Sequence, residues 1–366
     1  ILTGLLCVVM WSPPMWLSNS GLFWYFLIVS ILYFTTFAVF AVPYTALGYE
    51  LSNDYNERTK VMAFKVFIMS LGGGILLPWA YKLCFKFGDN EREGARVVGL
   101  IFGFIIIVTG CMPALFCKEN SKASEQSQIP FFRALIGTFK NRGFRIICGI
   151  IFFMIVGFFL ANPLYVYINI AYIYGGNKEM AASMAGYSGL TYCIFGFAAV
   201  PLINYCAKKW GKRITLLAGI AFVTAGFGSS WFFFNDKYPY LQLLFGVLVS
   251  PGMSCIWVLT ASCMADICDL DELETGLRRE GMYGAVYAWL LKVGLAAVLA
   301  ISGYIIEWSG FDREVAIQSS SVIFNLRIMF AFIPIAFLCC AAILTWRYPV
   351  TKEKIEEVQM LLANKK

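Results

Sequence analysis

No charged residue occurs between Ile1 and Tyr49, and none between Tyr238 and Ala265. Runs of this length cannot loop through water. Crossing the hydrocarbon core of a bilayer takes about 20 mostly apolar residues in a helix. In lipid the backbone must satisfy its own polar groups, which a helix does within one segment. Composition agrees. Hydrophobic residues make up 60% of the 366 and charged residues 14%, with a mean hydropathy of +0.71. Soluble domains carry about a quarter charged residues, so too little polar surface remains here to cover a particle in water. The expected class is an all-α polytopic membrane protein with the lipid bilayer as its first partner.

Hydropathy and turn residues predict spans over 1–17, 21–49, 62–85, 95–117, 143–172, 179–207, 213–234, 238–265, 281–307 and 322–346. Charge predicts their orientation. If the segment 50–61 is cytoplasmic, 19 of the 29 basic residues lie on that side, 7 on the other and 3 (Lys65, Lys292, Arg327) within spans. The C-terminus is then cytoplasmic. The Lys82–Arg96 cluster is a local exception. The net charge of +7 reads as a topology signal, and nucleic-acid binding is the poorer explanation of it.

The expected organisation is a four-span bundle over 1–117, a cytoplasmic linker over 118–142 with a short amphipathic surface helix, a six-span bundle over 143–347 and a cytoplasmic tail over 348–366. Ile1 already sits in an apolar run with no charged stretch before it, so a signal peptide is not expected. Four spans before the linker and six after it suggest that two equivalent halves would need two more spans upstream.

Chemistry is narrowed by what is missing. The sequence has 12 Cys and no His. The cysteines lie inside apolar runs without a CxxC pair, which reads as small buried hydrophobes rather than metal ligands or disulfides. Without histidine there is no HExxH site and no Ser-His-Asp triad. An enzyme, a metal and an organic cofactor are therefore not expected.

Three groups of residues remain as candidates. The first is the mixed-charge segment after Pro43-Tyr44, with Asp54, Glu57, Arg58 and then Lys65 just inside the next span. The second is the acidic stretch of Asp266, Asp269 and Glu272, followed by Arg278 and Arg279. Both lie on the predicted cytoplasmic side, where weak, hydrated ion pairs between them would latch and release. The third is the span interior. Lys292 lies about 16 Å along a helix from Gly281, too deep for easy snorkelling, and an ionisable group at that depth marks a functional site by default. Asn162, Tyr165, Asn169 and Trp257 add amides, a hydroxyl and aromatic faces of the kind that read sugar hydroxyls and stack on sugar rings. Helix packing and interfacial belts are the better account at most of these positions, less clearly at Trp257.

Two motifs carry a resemblance. One is Pro43-Tyr44-x-Ala46-Leu47 followed by Asp54-Tyr55-x-Glu57-Arg58-Thr59. The other is Ala265-Asp266-x-x-Asp269-x-x-Glu272-x-x-Thr275-Gly276-x-Arg278-Arg279-Glu280-Gly281, with Lys292 beyond it. The chain resembles the glycoside–pentoside–hexuronide:cation symporter family of the major facilitator superfamily, the group that contains melibiose permease. The resemblance implies the twelve-helix superfamily fold, with helices 3–12 present here. It implies a monomeric secondary transporter that couples Na⁺ or H⁺ to a sugar or glycoside by alternating access. It also implies a substrate cavity lined by Lys292, Trp257 and Tyr44, and a cytoplasmic gate that includes Asp266 and Arg58. Two positions depart from the family: its sugar-binding aspartate aligns with Ala41, and a nearby tryptophan with Thr45. Its acidic cation-site residues belong to the second helix, so no cation ligand is assigned here. A lysolipid or other organic-solute symporter of the same fold is the alternative, and a non-transporting scaffold a remote one.

Overall fold

The structure is a computed structural model that describes residues 1–50, 68, 72–87, 90–117, 137–275, 280–312, 315, 318–350 and 352–365. The chain forms two compact units, Ile1–Ser127 and Gln128–Lys366.

Unit 1 contains α1 (Leu2–Met10), α2 (Asn19–Glu50), a π-helical turn (Gly72–Leu76) running into α3 (Leu77–Cys84), and α4 (Glu91–Phe116). Pro13 and Pro14 follow the end of α1; neither can donate a backbone N–H, so the helix does not continue. Asn90 starts α4 by accepting from the Glu93 N–H at 3.0 Å, which satisfies one of the orphan donors of the first turn. Helices α1 and α4 pack through glycine. A Cβ on Gly103 would lie 2.4 Å from Val8 Cγ2, and one on Gly99 would lie 2.4 Å from Trp11 Cβ. Lipid offers helices no hydrophobic reason to associate, so backbones that approach this closely supply the contact.

Unit 2 contains α5 (Arg142–Ile168) with a π-helical end (Asn169–Ile173), α6 (Lys178–Trp210), α7 (Lys212–Phe233), a 3₁₀ turn (Pro239–Gln242), α8 (Leu243–Thr275), α9 (Glu280–Trp308), α10 (Ser320–Trp346) and α11 (Lys352–Lys365). Side chains of Asn141, Asn177 and Ser319 cap the N-termini of α5, α6 and α10. Helix α5 is the central post, packed by α8, α9 and α10. Its core face, including Phe144, Ile147, Ile150, Met154, Leu160 and Leu164, is closed to solvent. On the far side α8 lies against α6 and α7. There a Cβ on Gly252 would sit 2.5 Å from the Gly219 carbonyl oxygen, and one on Gly219 2.8 Å from Cys255 Sγ.

Among the described residues, eight helices are long and apolar enough to cross a membrane. They correspond to eight of the ten expected spans. The other two differ. The expected span over 1–17 is a nine-residue helix, α1, followed by a break at Trp11. In the span over 62–85, residues 62–67 and 69–71 lie outside the described residues, and 72–84 form the π-helical turn and α3; the surface helix expected in the linker also lies outside them, apart from the turn at 137–139. The acidic stretch after Met264 is a continuation of α8 to Thr275 rather than a loop. The segment after Trp346 forms α11, which buries Ile355 and Val358 and packs on α8. Six prolines (Pro43, Pro113, Pro163, Pro201, Pro251 and Pro334) sit inside helices. Neighbouring helices and local π adjustments make this tolerable in membrane helices.

Candidate functional site

Lys292 lies 12 residues into α9 and 16 from its end, about 18 Å from the start at 1.5 Å per residue. The face of α9 against α5 is made by Val286, Gly294 and Val298, all buried. A Cβ on Gly294 would be 3.3 Å from Ile155 Cγ2. Lys292 projects from the other face and is exposed on unit 2, one turn from Ala288 and one turn from Ala296, both also exposed. Small residues on either side leave room around the ammonium. No described carboxylate pairs with it. A mid-helix ammonium on an open face, flanked by alanine, can receive an anion or the hydroxyls of a polar solute.

Trp257 on α8 is similarly presented. It is 41% exposed, in a stripe with Ala261 and Ala265, which are also exposed. Asn162 on α5 is exposed as well. Tyr165 and Asn169 lie inside unit 2. The Tyr165 hydroxyl is 2.7 Å from Ser188 Oγ on α6, and its ring meets Phe234 edge-on at 5.8 Å. Asn169 is 1% exposed, and its Nδ2 donates to the Tyr165 carbonyl at 3.0 Å. Tyr165 ties α5 to α6, and Asn169 begins the π-helical turn. In unit 1, Tyr44 is exposed and stacks on Phe40 at 5.5 Å between centroids.

Of the proposed gate residues, Asp54, Glu57, Arg58, Lys65, Arg278 and Arg279 lie outside the described residues. Asp269 and Glu272 are half-buried on the last turns of α8. Asp266 is buried, and both its carboxylate oxygens accept from Lys212 Nζ, at 2.6 and 2.7 Å. The sequence explains why this lysine arrives there. Gly211 has φ of +82°, a conformation nearly reserved for glycine. That residue turns α6 sharply into α7 and makes Lys212 the first residue of α7. The same end of unit 2 holds a second buried carboxylate, Asp271, which accepts from the Tyr283 hydroxyl at 3.1 Å. Tyr283 stacks edge-on against Phe144 at 4.9 Å. Tyr348, just past α10, is 1% exposed, and burial pushes its phenol above the ordinary tyrosine value. It stays protonated and directs its hydroxyl to the Cys263 carbonyl at 3.5 Å. This belt joins the ends of α5, α7, α8, α9 and α10. Replacing Tyr283 with phenylalanine is expected to lower stability by about 1.5–3 kcal/mol, the worth of a hydrogen bond to a charged group, measured as a fall in Tm in detergent.

Nothing local in the sequence marks Lys212, Tyr283 or Tyr348 as interacting groups. Lys212 read as one of many basic residues on one side of the membrane. Arg327 was missed too, although the rule that flagged Lys292 applies equally to it. On α10, Arg327 donates to the carbonyls of Trp231 and Phe234 at 2.6 and 3.4 Å. Its guanidinium lies between the rings of Trp231 and Tyr172, at 4.2 and 4.7 Å. A cation here completes the negative C-terminal end of α7 and gains two aromatic faces. The two intramembrane cations of unit 2 therefore differ: Arg327 is consumed by its own fold, and Lys292 is left available.

A family model for MFS/sugar transport proteins matches residues 1–352. An uncharacterized symporter of Synechocystis sp. is 25% identical over 94% of this chain and 78% of its own length. A putative glycoside/cation symporter of Escherichia coli is 21% identical over 98% of this chain and 76% of its own length. The sodium-dependent lysophosphatidylcholine symporter 1 of Gallus gallus is 21% identical over 95% of this chain and 71% of its own length.

Proposed function

Because the chain belongs to the MFS/sugar transport family, we propose that it is a cation-coupled symporter that moves a sugar or glycoside by alternating access. Membrane transport by symport is what its relatives are named for; the substrate and the coupling ion are our reading. The observation that carries it is Lys292, a mid-span ammonium on an open, alanine-flanked face. Such a charge is stable in a membrane only beside an anion, a dipole or water, and that is the environment a polar solute needs in transit. Trp257 and Tyr44 would supply flat apolar surface for a sugar ring, and Asn162 an amide for its hydroxyls. Tyr165 and Asn169 would act from behind, holding α5 in place. Na⁺ or H⁺ is the proposed coupling ion. A monomer in the cell membrane is the proposed working unit. The end of unit 2 that carries the Lys212–Asp266 pair would face the cytoplasm, and Asp266, Asp269 and Glu272 would be partners of a charged gate.

A relative named as a glycoside/cation symporter supports the sugar reading. A relative named as a sodium-dependent lysophosphatidylcholine symporter keeps a second cargo in play. Purified protein in proteoliposomes separates them. Labelled glycosides are expected to accumulate when an inward Na⁺ or H⁺ gradient is imposed, and to leak back when an ionophore collapses it. Accumulation of lysophosphatidylcholine with no uptake of any glycoside would replace the sugar reading with the lysolipid one.

A further inference from the structure

Unit 1 holds a cavity of about 540 Å³, closed in by the end of α1, the turn that follows it, the start of α2, the end of α3 and the first turns of α4. Glycine makes it possible. Gly99 lets the Trp11 side chain seat against α4, and a Cβ on Gly94 would sit 1.7 Å from the Cys84 carbonyl oxygen. The α4 start is thus held by the Cys84 main chain at Gly94 and by the Trp11 side chain at Gly99. The side chains between, including Met10, Trp11, Phe26 and Phe85, line the space instead of filling it.

Arg92 and Arg96 stand on the same wall. They are one turn apart on α4, where like charges repel. Arg92 is also in its first turn, where the helix field disfavours a cation. Both are exposed, and neither has a described hydrogen-bond or ion-pair partner. Glu93 also borders the cavity, and two arginines against one glutamate leave the lining net positive. Topology does not explain this charge either, because the Lys82–Arg96 cluster opposes the bias of the rest of the chain. The depth is that of a membrane surface: Arg92 opens a candidate span, and Trp16, 83% exposed, lies in the adjoining turn, as tryptophan does at bilayer interfaces.

We propose that this cavity is a binding site for an anionic phospholipid of the surrounding bilayer, with acyl chain among Trp11, Phe26 and Phe85 and phosphate at Arg92 and Arg96. Neither half suffices alone. A soluble phosphate would not need the apolar chamber, and a neutral apolar molecule would not need two guanidiniums at its edge. An anionic lipid uses both, and it relieves the repulsion between the arginines. The occupant is distinct from a transported solute, since the site lies wholly within unit 1 and includes none of Lys292, Trp257 or Tyr44.

Thermal unfolding of the purified protein in detergent tests this. Phosphatidylglycerol, phosphatidylcholine and glycerol 3-phosphate are added separately to the unaltered protein, to Arg92→Gln/Arg96→Gln and to Ala95→Phe. The last variant fills the cavity and keeps both arginines. Phosphatidylglycerol is expected to raise the Tm of the unaltered protein, because a ligand that binds only the folded state stabilises it. Each variant is expected to need at least about tenfold more of that lipid for the same shift, in keeping with lost charge-assisted contacts or a blocked chamber. Phosphatidylcholine is expected to act about tenfold more weakly, and glycerol 3-phosphate to have no effect. Equal shifts with both lipids, unaffected by either variant, would mean general solvation by lipid and would overturn the proposal. A full shift with glycerol 3-phosphate would assign a soluble anion instead, and no shift with any additive would remove the site. If one variant fails to fold, the other carries the comparison. The readout is binding, so the transport reading stands or falls separately.

Discussion

Lys212→Ala is expected to destabilise unit 2 by about 2–3 kcal/mol, seen as a fall in Tm of roughly 5 °C or more in detergent. The size follows from the imbalance between the partners. Asp266 is buried, while a third of the Lys212 side chain is open to solvent. Removing the lysine leaves a carboxylate among Cys263, Ile267 and Tyr348 with nothing to replace two bonds of 2.6 and 2.7 Å. Losing one partner of a fully buried pair costs about 3–5 kcal/mol; partial exposure of the lysine reduces that, because water screens the pair. Asp266→Ala in the same background is expected to recover most of the loss, since the uncompensated charge is then gone. A double variant no more stable than Lys212→Ala would show that the pair is not what holds this end together.

Lys292→Ala is expected to leave the Tm within about 1 °C and to cut gradient-driven glycoside uptake by at least about tenfold. The first part follows from exposure, because no described group pairs with the ammonium and its side chain is open on the surface of α9. The second follows from depth: a charge-assisted contact to solute or to a coupling group contributes about 1.5–3 kcal/mol, and each 1.4 kcal/mol is a factor of ten. Lys292→Arg is expected to fall between, since a guanidinium keeps the charge and changes its shape. Uptake by Lys292→Ala equal to that of the unaltered protein, at equal amounts in the membrane, would remove this lysine from the transport cycle.

The helices were legible because long uncharged runs leave a chain in lipid few choices, and eight spans follow those runs closely. The end of α8 differs from expectation because Asp266 to Glu274 reads as loop chemistry, whereas here the acidic turns stay helical and two buried carboxylates find donors in Lys212 and Tyr283. Lys212 was hidden by its company: in Lys208-Lys209-Trp210-Gly211-Lys212-Arg213 nothing local distinguishes the one lysine that Gly211 swings toward α8. Asn162, Tyr165 and Asn169 illustrate a different limit. Their spacing puts them on one stripe of α5, yet Asn162 is exposed and Asn169 buried. A helix that is apolar nearly all round carries no periodic mark of which stretch a neighbour covers; at Tyr165 that neighbour is α6, through Ser188.

The meeting of Gly219 and Gly252 has a mechanical consequence. Where two backbones touch with no side chain between them, neither can slide or roll without collision, since the spare volume that would absorb the movement does not exist. Helices α7 and α8 are in this sense welded, and α6 joins them where Gly196 faces Ser254. A trio fastened in this way transmits torque as one stiff plate, so bending in a working cycle must fall on segments with looser seams.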